Sequence, residues 1–236
     1  MFKGLLKYHF TVLLREPLNI FFGLDFPFLN LFILSANAED GMMETSLPIL
    51  LVVAAIVLCF TDSGASHAYA RQIKFLRRLK MTPVKPIYYL LTGILTRLLA
   101  LSVLGIALTL IMNAFFDVSL TGRNWLLFAA LFILTFIMFY FISMFIANVL
   151  KGAKNSQNLI YVSFFVLLIA GGLMLPLGAM PEIMQTVANN LPPMFAITVL
   201  QSAWMGSSLF YGYCFIAVLA ITLVFGSLSV KVFRFE

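Results

Sequence analysis

From Leu47 to Pro86 the chain reads LPILLVVAAIVLCFTDSGASHAYARQIKFLRRLKMTPVKP. Two unlike parts adjoin there. Leu47–Ala68 is apolar throughout with a single acid, Asp62, whereas Ala70–Pro86 carries Arg71, Lys74, Arg77, Arg78, Lys80 and Lys85 and no acid. A helix needs about 20 mostly apolar residues to cross a hydrocarbon core about 30 Å thick. The first part meets that length; the second cannot enter hydrocarbon and marks a turn of the chain in water. The fold class that follows is an all-α integral membrane protein.

Reading outward, six stretches qualify as transmembrane spans: Pro17–Ala36, Leu47–Ala68, Tyr88–Ala114, Trp125–Leu150, Leu159–Gly178 and Leu209–Val230. The composition agrees, with 62% hydrophobic residues, 10% charged residues and a mean hydropathy of +1.04. A soluble domain carries about 45–50% apolar and about 25% charged residues. A soluble enzyme, a disordered tail and a disulfide-stapled secreted domain are thereby excluded. Cys59 and Cys214 lie inside apolar runs, where a thiol behaves as a small hydrophobe. No Cys/His cluster suggests a metal. Lys3, Lys7 and Arg15 interrupt the first stretch, so the N-terminus does not read as a cleavable signal peptide.

Lys and Arg concentrate on the cytoplasmic side of membrane proteins. With the N-terminus inside, the inner segments hold thirteen of the fifteen cations; Arg123 falls outside, beside Glu39, Asp40, Glu44, Asp117 and Glu182, and Arg97 lies within the third span. Both termini are therefore expected in the cytoplasm. The net charge of +6 reflects orientation in the membrane, not nucleic-acid binding.

Between Asn155 and Val230 there is no Lys or Arg. One crossing out, an outer segment and one crossing back is the simplest layout. The outer segment, residues 179–208, is too apolar for a loop in water, and Pro176, Pro181, Pro192 and Pro193 cut its surroundings into pieces too short to span. Irregular backbone at membrane depth must be buried in protein or line a cavity. Two short re-entrant helices, Glu182–Asn190 and Phe195–Met205, are expected rather than a loose apolar loop.

Two features face the cytoplasm. In residues 1–16, Lys3, Lys7, Thr11 and Arg15 recur every fourth residue opposite Phe2, Leu5, Leu6, Phe10, Val12 and Leu13. This predicts an amphipathic helix on the surface of an anionic leaflet, with membrane lipid as its partner. In residues 70–86, Ile73, Leu76 and Leu79 recur at helical spacing amid cations, and Pro83 and Pro86 stop the helix. Topological anchoring needs only two or three of those cations. A Pro-terminated helix with Phe75 and Leu76 exposed reads as a knob for another protein's groove.

No catalytic constellation is present. The chain has no GxxxxGK[ST] loop, and indeed no Gly-Lys pair, so it does not hydrolyse ATP itself. His9 and His67 lack metal-ligand spacing. Asp25, Asp62 and Arg97 fall inside spans, where charge is costly and is usually paired. Arg97 is expected to pair with Asp25 or with Asp62. A structural or gating bridge is one reading; an ion-coupled secondary transporter built on these three residues is the alternative. Such transporters show internal repeats and helices broken at the midplane, and no repeat is evident. An intramembrane enzyme would need clustered catalytic residues that the sequence lacks.

The whole pattern resembles the type-2 ABC transporter permeases, the membrane subunits of ABC exporters. Three stretches carry the resemblance: the amphipathic N-terminus leading through Arg15-Glu16-Pro17 into the first span; Leu76-Arg-Arg-Leu-Lys-Met-Thr-Pro83, similar to the family's coupling helix; and Gly171-Gly-Leu-Met-Leu-Pro176 followed by Met180-Pro181, Asn190-Leu-Pro192 and Phe195. Where the family often has Arg-Glu and Gly-Thr before its basic run, this chain has Arg71-Gln72 and Lys74-Phe75. The resemblance implies a dimer, a homodimer or a heterodimer, in a bacterial plasma membrane. Each copy would dock a separate cytosolic ATP-binding subunit through Arg71, Lys74, Phe75, Leu76, Arg77, Arg78, Leu79, Lys80, Thr82 and Pro83. ATP and Mg would be bound by that partner, and this chain would need no cofactor. It further implies a substrate path between the first and fifth spans, near Phe22, Phe26, Phe164, Phe165 and Met174. Short outer loops and an apolar interior suit a hydrophobic or amphipathic cargo such as a drug, a lipid or a peptide.

Overall fold

A computed structural model describes residues 2–15, 26–32, 45–81, 86–116, 124–150, 152–173, 180–206 and 212–233. Among them every regular element is helical. The helices are α1 (Phe2–Arg15), α2 (residues 26–32), α3 (Ser46–Gln72), α4 (Phe75–Lys80), α5 (Pro86–Phe116), α6 (Trp125–Val149), α7 (Ala153–Ala170), α8 (Glu182–Asn189), α9 (Pro192–Met205) and α10 (Gly212–Lys231).

Four of these, α3, α5, α6 and α10, are long and apolar enough to cross a bilayer. They match the second, third, fourth and sixth expected spans, with the start of α6 at the expected Trp125 and the other ends shifted by one to four residues. The expected first span is described only over residues 26–32. The expected fifth span is corrected. Its helix, α7, starts earlier than Leu159 and stops at Ala170. Gly171 and Gly172 end it: Gly172 takes the left-handed conformation at φ 71°, and the Leu173 N–H bonds back to the Leu168 carbonyl at 3.2 Å. Gly171 also lies against the Pro193 ring, where a Cβ would crowd it.

The centre of the protein is α3. Of its most apolar stretch 94% is buried inside the protein, against 28% for α5 and 17% for α10. Ala54, Ala55, Gly64, Ala65 and Ala68 are small enough to let neighbouring backbones approach, as helices in lipid require. The added Cβ of any residue replacing Gly64 would touch Ile160 of α7 and Ser143 of α6 at 3.4 Å.

Around this axis α6 packs on α10, where the Ser229 hydroxyl donates to the Phe141 carbonyl at 2.8 Å and Phe145 meets Phe225 edge-on. Asn124 caps α6 by accepting from the Leu127 N–H at 3.2 Å. One of the short elements, α9, lies where Pro and Gly predict. Pro192 and Pro193 occupy the first turn of α9, where a missing N–H costs nothing, and Gly206 closes that helix at φ 66°. That helix starts three residues before the expected Phe195. Its inner face, with Ala196, Leu200, Ala203 and Trp204, is buried.

Candidate functional site

The candidate site lies at the end of the bundle where α3 turns into α5. Its core is a widened turn. Over Leu58–Gly64 the backbone of α3 is π-helical, a form often found at functional positions. Thr61 and Ser63 satisfy their hydroxyls on the Val57 and Leu58 carbonyls of the same helix. Asp62 lies within this turn and accepts from the Arg97 Nε of α5 at 2.7 Å, with both side chains 2% exposed. Of the two expected partners the described one, Asp62, is paired with Arg97; Asp25 lies outside the described residues. The other Asp62 oxygen, Oδ1, is buried without a hydrogen-bond partner.

A third element joins the pair, one that sequence reasoning missed. Arg97 Nη1 donates to His9 Nδ1 at 2.9 Å, so the amphipathic helix α1 is tied to the ion pair. Burial first, and the Arg97 cation second, hold His9 down to about 2 from its usual 6.5; the Tyr89 backbone carbonyl pulls the other way. His9 is therefore a neutral acceptor. A signal for it existed: His9 is four residues after Leu5, on the face of α1 turned from Lys3 and Lys7, and both Leu5 and His9 are buried.

Gly93, one turn before Arg97, explains how α6 comes so close. A Cβ there would run into the Tyr140 hydroxyl, which donates to the Leu90 carbonyl at 3.2 Å. Nearer the turn, His67 Nε2 lies 3.1 Å from Asn148 Oδ1 and its Nδ1 lies 3.4 Å from the Tyr89 hydroxyl. Phe233, after α10, packs its ring on both His67 and Tyr89. His67 is thus a buried, hydrogen-bonded side chain that ties α3 to α5 and α6.

The expected coupling segment takes a different form from a single helix over residues 70–86. Helix α3 runs on to Gln72, the chain turns with Lys74 at φ 59°, and α4 follows over Phe75–Lys80. Three expectations change with it. Arg71 is buried, 4% exposed, and does not face water: its guanidinium donates to the Ala147 and Leu150 carbonyls at the end of α6 and to the Ser156 hydroxyl of α7. A cation there satisfies helix-end carbonyls and complements the negative end of the α6 dipole. Leu76 is fully buried, and Phe75 is half-buried, stacked on Tyr8 of α1 with ring centroids 4.4 Å apart. Ile73 lies outward instead of in an apolar ridge, 49% exposed.

What α4 and its turn present outward is therefore Gln72, Ile73, Lys74, Arg77, Arg78 and Met81, with Leu79 packed against the core. The Lys80 side chain, Thr82 and Pro83 lie outside the described residues.

At the opposite end, Pro181 precedes α8, whose first residue is Glu182, and Pro192 and Pro193 open α9. Pro176 lies outside the described residues. Of the aromatic residues expected along a path, Phe26 meets Phe164 at 6.4 Å and Phe164 meets Phe165 at 5.3 Å, all within one chain. Asn30 donates to the Leu173 carbonyl at 3.2 Å, so α2 lies along α7 and its end. Phe165 is exposed, whereas Phe22 and Met174 lie outside the described residues. Among the described residues no group of His, Cys, Asp and Glu could hold a metal ion.

The arrangement can carry displacement. A basic, outward-facing segment is joined by Phe75 to α1, by Arg71 to α6 and α7, and through α1 to an ion pair inside the bundle. No curated protein matches the sequence. The family model for the ABC-2 type transporter matches residues 2–205, all of the chain from α1 to the end of α9. The chain belongs to the ABC-2 type transporter family, as a multi-pass membrane component of an ABC transporter.

Proposed function

We propose that this chain is the permease subunit of an ATP-driven exporter. It works as a dimer and is driven by a separate cytosolic ATP-binding subunit, which binds the ATP and Mg. The observation that carries this reading is the build of the α4 segment. Lys74, Arg77 and Arg78 face outward, while Leu76 and the Phe75–Tyr8 stack root the same short helix in the membrane body. A purely topological anchor needs the charges but not the rooted helix. The sequence has no Gly-Lys pair and so no GxxxxGK[ST] loop, which supports a reading in which a partner subunit binds the ATP.

In this reading six spans cross the plasma membrane of a bacterium, with both termini in the cytoplasm and with α8 and α9 re-entering the outer leaflet. Closure of two ATP-binding subunits pushes on α4. The push passes through Arg71 into α6 and α7, and through Phe75 and Tyr8 into α1. The His9–Arg97–Asp62 contact then makes α1, α3 and α5 move together, and a path for a hydrophobic or amphipathic cargo opens between two copies near Phe26, Phe164 and Phe165. The ion pair acts as a bridge in this scheme: Asp62 holds a charge-assisted bond to Arg97, and a proton carrier would need to release it at every cycle.

The test is co-purification of the full chain with a co-expressed ATP-binding cassette subunit. Arg77→Glu with Arg78→Glu is expected to lower recovery of the complex at least tenfold, while the chain still inserts and purifies. Recovery equal to that of the unchanged chain would contradict docking through α4.

A further inference from the structure

A cavity of about 230 Å³ lies on the far side of the bundle from α4. Its walls are Ser102, Gly105, Thr109, Trp125 and Ala129, and Leu51 of the central helix lies behind Gly105 at the floor. A pocket for a drug-sized molecule takes about 300–1,000 Å³, so this volume suits part of a chain and not a whole ligand. The hydroxyls on its wall are already used: Ser102 donates to the Leu98 carbonyl at 2.8 Å and Thr109 to the Gly105 carbonyl at 2.7 Å. With those two protons occupied, the Ser102 and Thr109 hydroxyls have none left to donate to an occupant. The groove opens on the outward face of α5, where Leu99, Val103, Ile106 and Leu110 are exposed and which, in a multi-pass membrane protein, meets lipid. From Trp125 to Phe132 the wall runs about 10 Å along the helix, within one leaflet of a hydrocarbon core about 30 Å thick. Trp125 lines the groove from the first turn of α6, directly after Asn124, and tryptophans at the ends of spans favour headgroup level.

We infer that this groove between α5 and α6 is a binding site for one acyl chain of a membrane phospholipid, in the leaflet away from α4. The inference does not depend on the exporter reading: the site lies apart from Phe26, Phe164 and Phe165. Gly105 and Ala129 create the hollow, and a lipid chain restores the packing that a bare hollow between helices lacks.

The two tryptophans of the chain give a direct probe. Trp125 lines the groove, and Trp204 is buried behind it with ring centroids 5.3 Å apart. The full chain bearing Trp204→Phe, purified in detergent, would be titrated with phosphatidylcholine brominated at mid-chain, and Trp125 fluorescence followed. The expected result is saturable quenching at low lipid-to-protein ratio. Ala129→Phe, and independently Ser102→Phe, should raise the half-saturating ratio at least fivefold; both positions are exposed, so neither should unfold the protein. Val103→Phe, on the open lipid face, should leave the curve unchanged. Quenching that rises linearly without saturation, or that ignores both filling substitutions, would overturn the site. Loss of saturation on dilution from dimer to monomer would assign the groove to a second copy and overturn it equally.

Discussion

Arg97 joins three elements inside the bundle, bonding Asp62 of α3 and His9 of α1 from α5. Taking it and Asp62 out of solvent is costly, and removing one partner of a buried pair costs about 3–5 kcal/mol. Asp62→Ala should therefore lower the thermal midpoint of the purified protein far more than Asp62→Ala combined with Arg97→Met, which leaves no buried charge alone. Equal losses would show that the pair is not coupled. Gly93 yields a second test. Gly93→Ala drives a Cβ into the Tyr140 hydroxyl, an overpacking that costs about 1–3 kcal/mol. Tyr140→Phe removes that oxygen, so the double variant should regain part of the loss, measured as non-additive midpoints.

His9 supplies a pH dependence. Its value in the folded protein is lowered to about 2 from 6.5, so the unfolded chain binds the extra proton between those values. This contribution to stability is complete above about pH 6.5 and declines as pH falls through the acid range. His9→Asn keeps an acceptor for Arg97 but cannot titrate. The drop in thermal midpoint between pH 7.5 and pH 5 should therefore be smaller in that variant than in the unchanged chain. The pairing of Arg97 with an acid was legible in the sequence because charge inside a span is rarely left alone. For His9 the sequence shows only that it shares the face of α1 turned from Lys3 and Lys7; its bond to Arg97 was not legible, because nothing in a linear sequence shows α1 lying across α5.

Among the elements, the long apolar runs located α3, α5, α6 and α10 because length and hydropathy alone decide a crossing. The end of α7 was not found by that route: the run continues apolar past Ala170, and only the pair Gly171-Gly172 stops the helix. The segment after α3 was misjudged for a related reason. Helical spacing of Ile73, Leu76 and Leu79 suggests one ridge, but Lys74 adopts φ 59° and resets the phase, which turns Leu76 inward and Ile73 outward. Arg71 could not be told from its neighbouring cations by charge; what sets it apart is the end of α6 lying beside it. At this scale the coupling of α1 to α4 is testable. Tyr8→Ala, which removes the stack on Phe75 but none of the outward cations, should leave the ATP-binding subunit bound yet reduce ATP-driven transport at least fivefold. Loss of binding instead would mean that the stack only shapes the docking surface.

At the scale of the whole molecule, α3 forms the buried axis and the polar contacts gather at one end, around Asp62, His67 and Arg71. Membership of the ABC-2 type transporter family accounts for a membrane component without a phosphate loop, and the rooted basic segment is where force from another chain would enter. The most direct measurement uses the full chain in sealed vesicles, alone and together with a co-expressed ATP-binding cassette subunit, with movement of a hydrophobic fluorescent dye as the readout. Dye movement is expected only when partner and ATP are both present, and none when the chain alone is given a proton or sodium gradient. Transport by the chain alone on such a gradient would contradict the exporter reading.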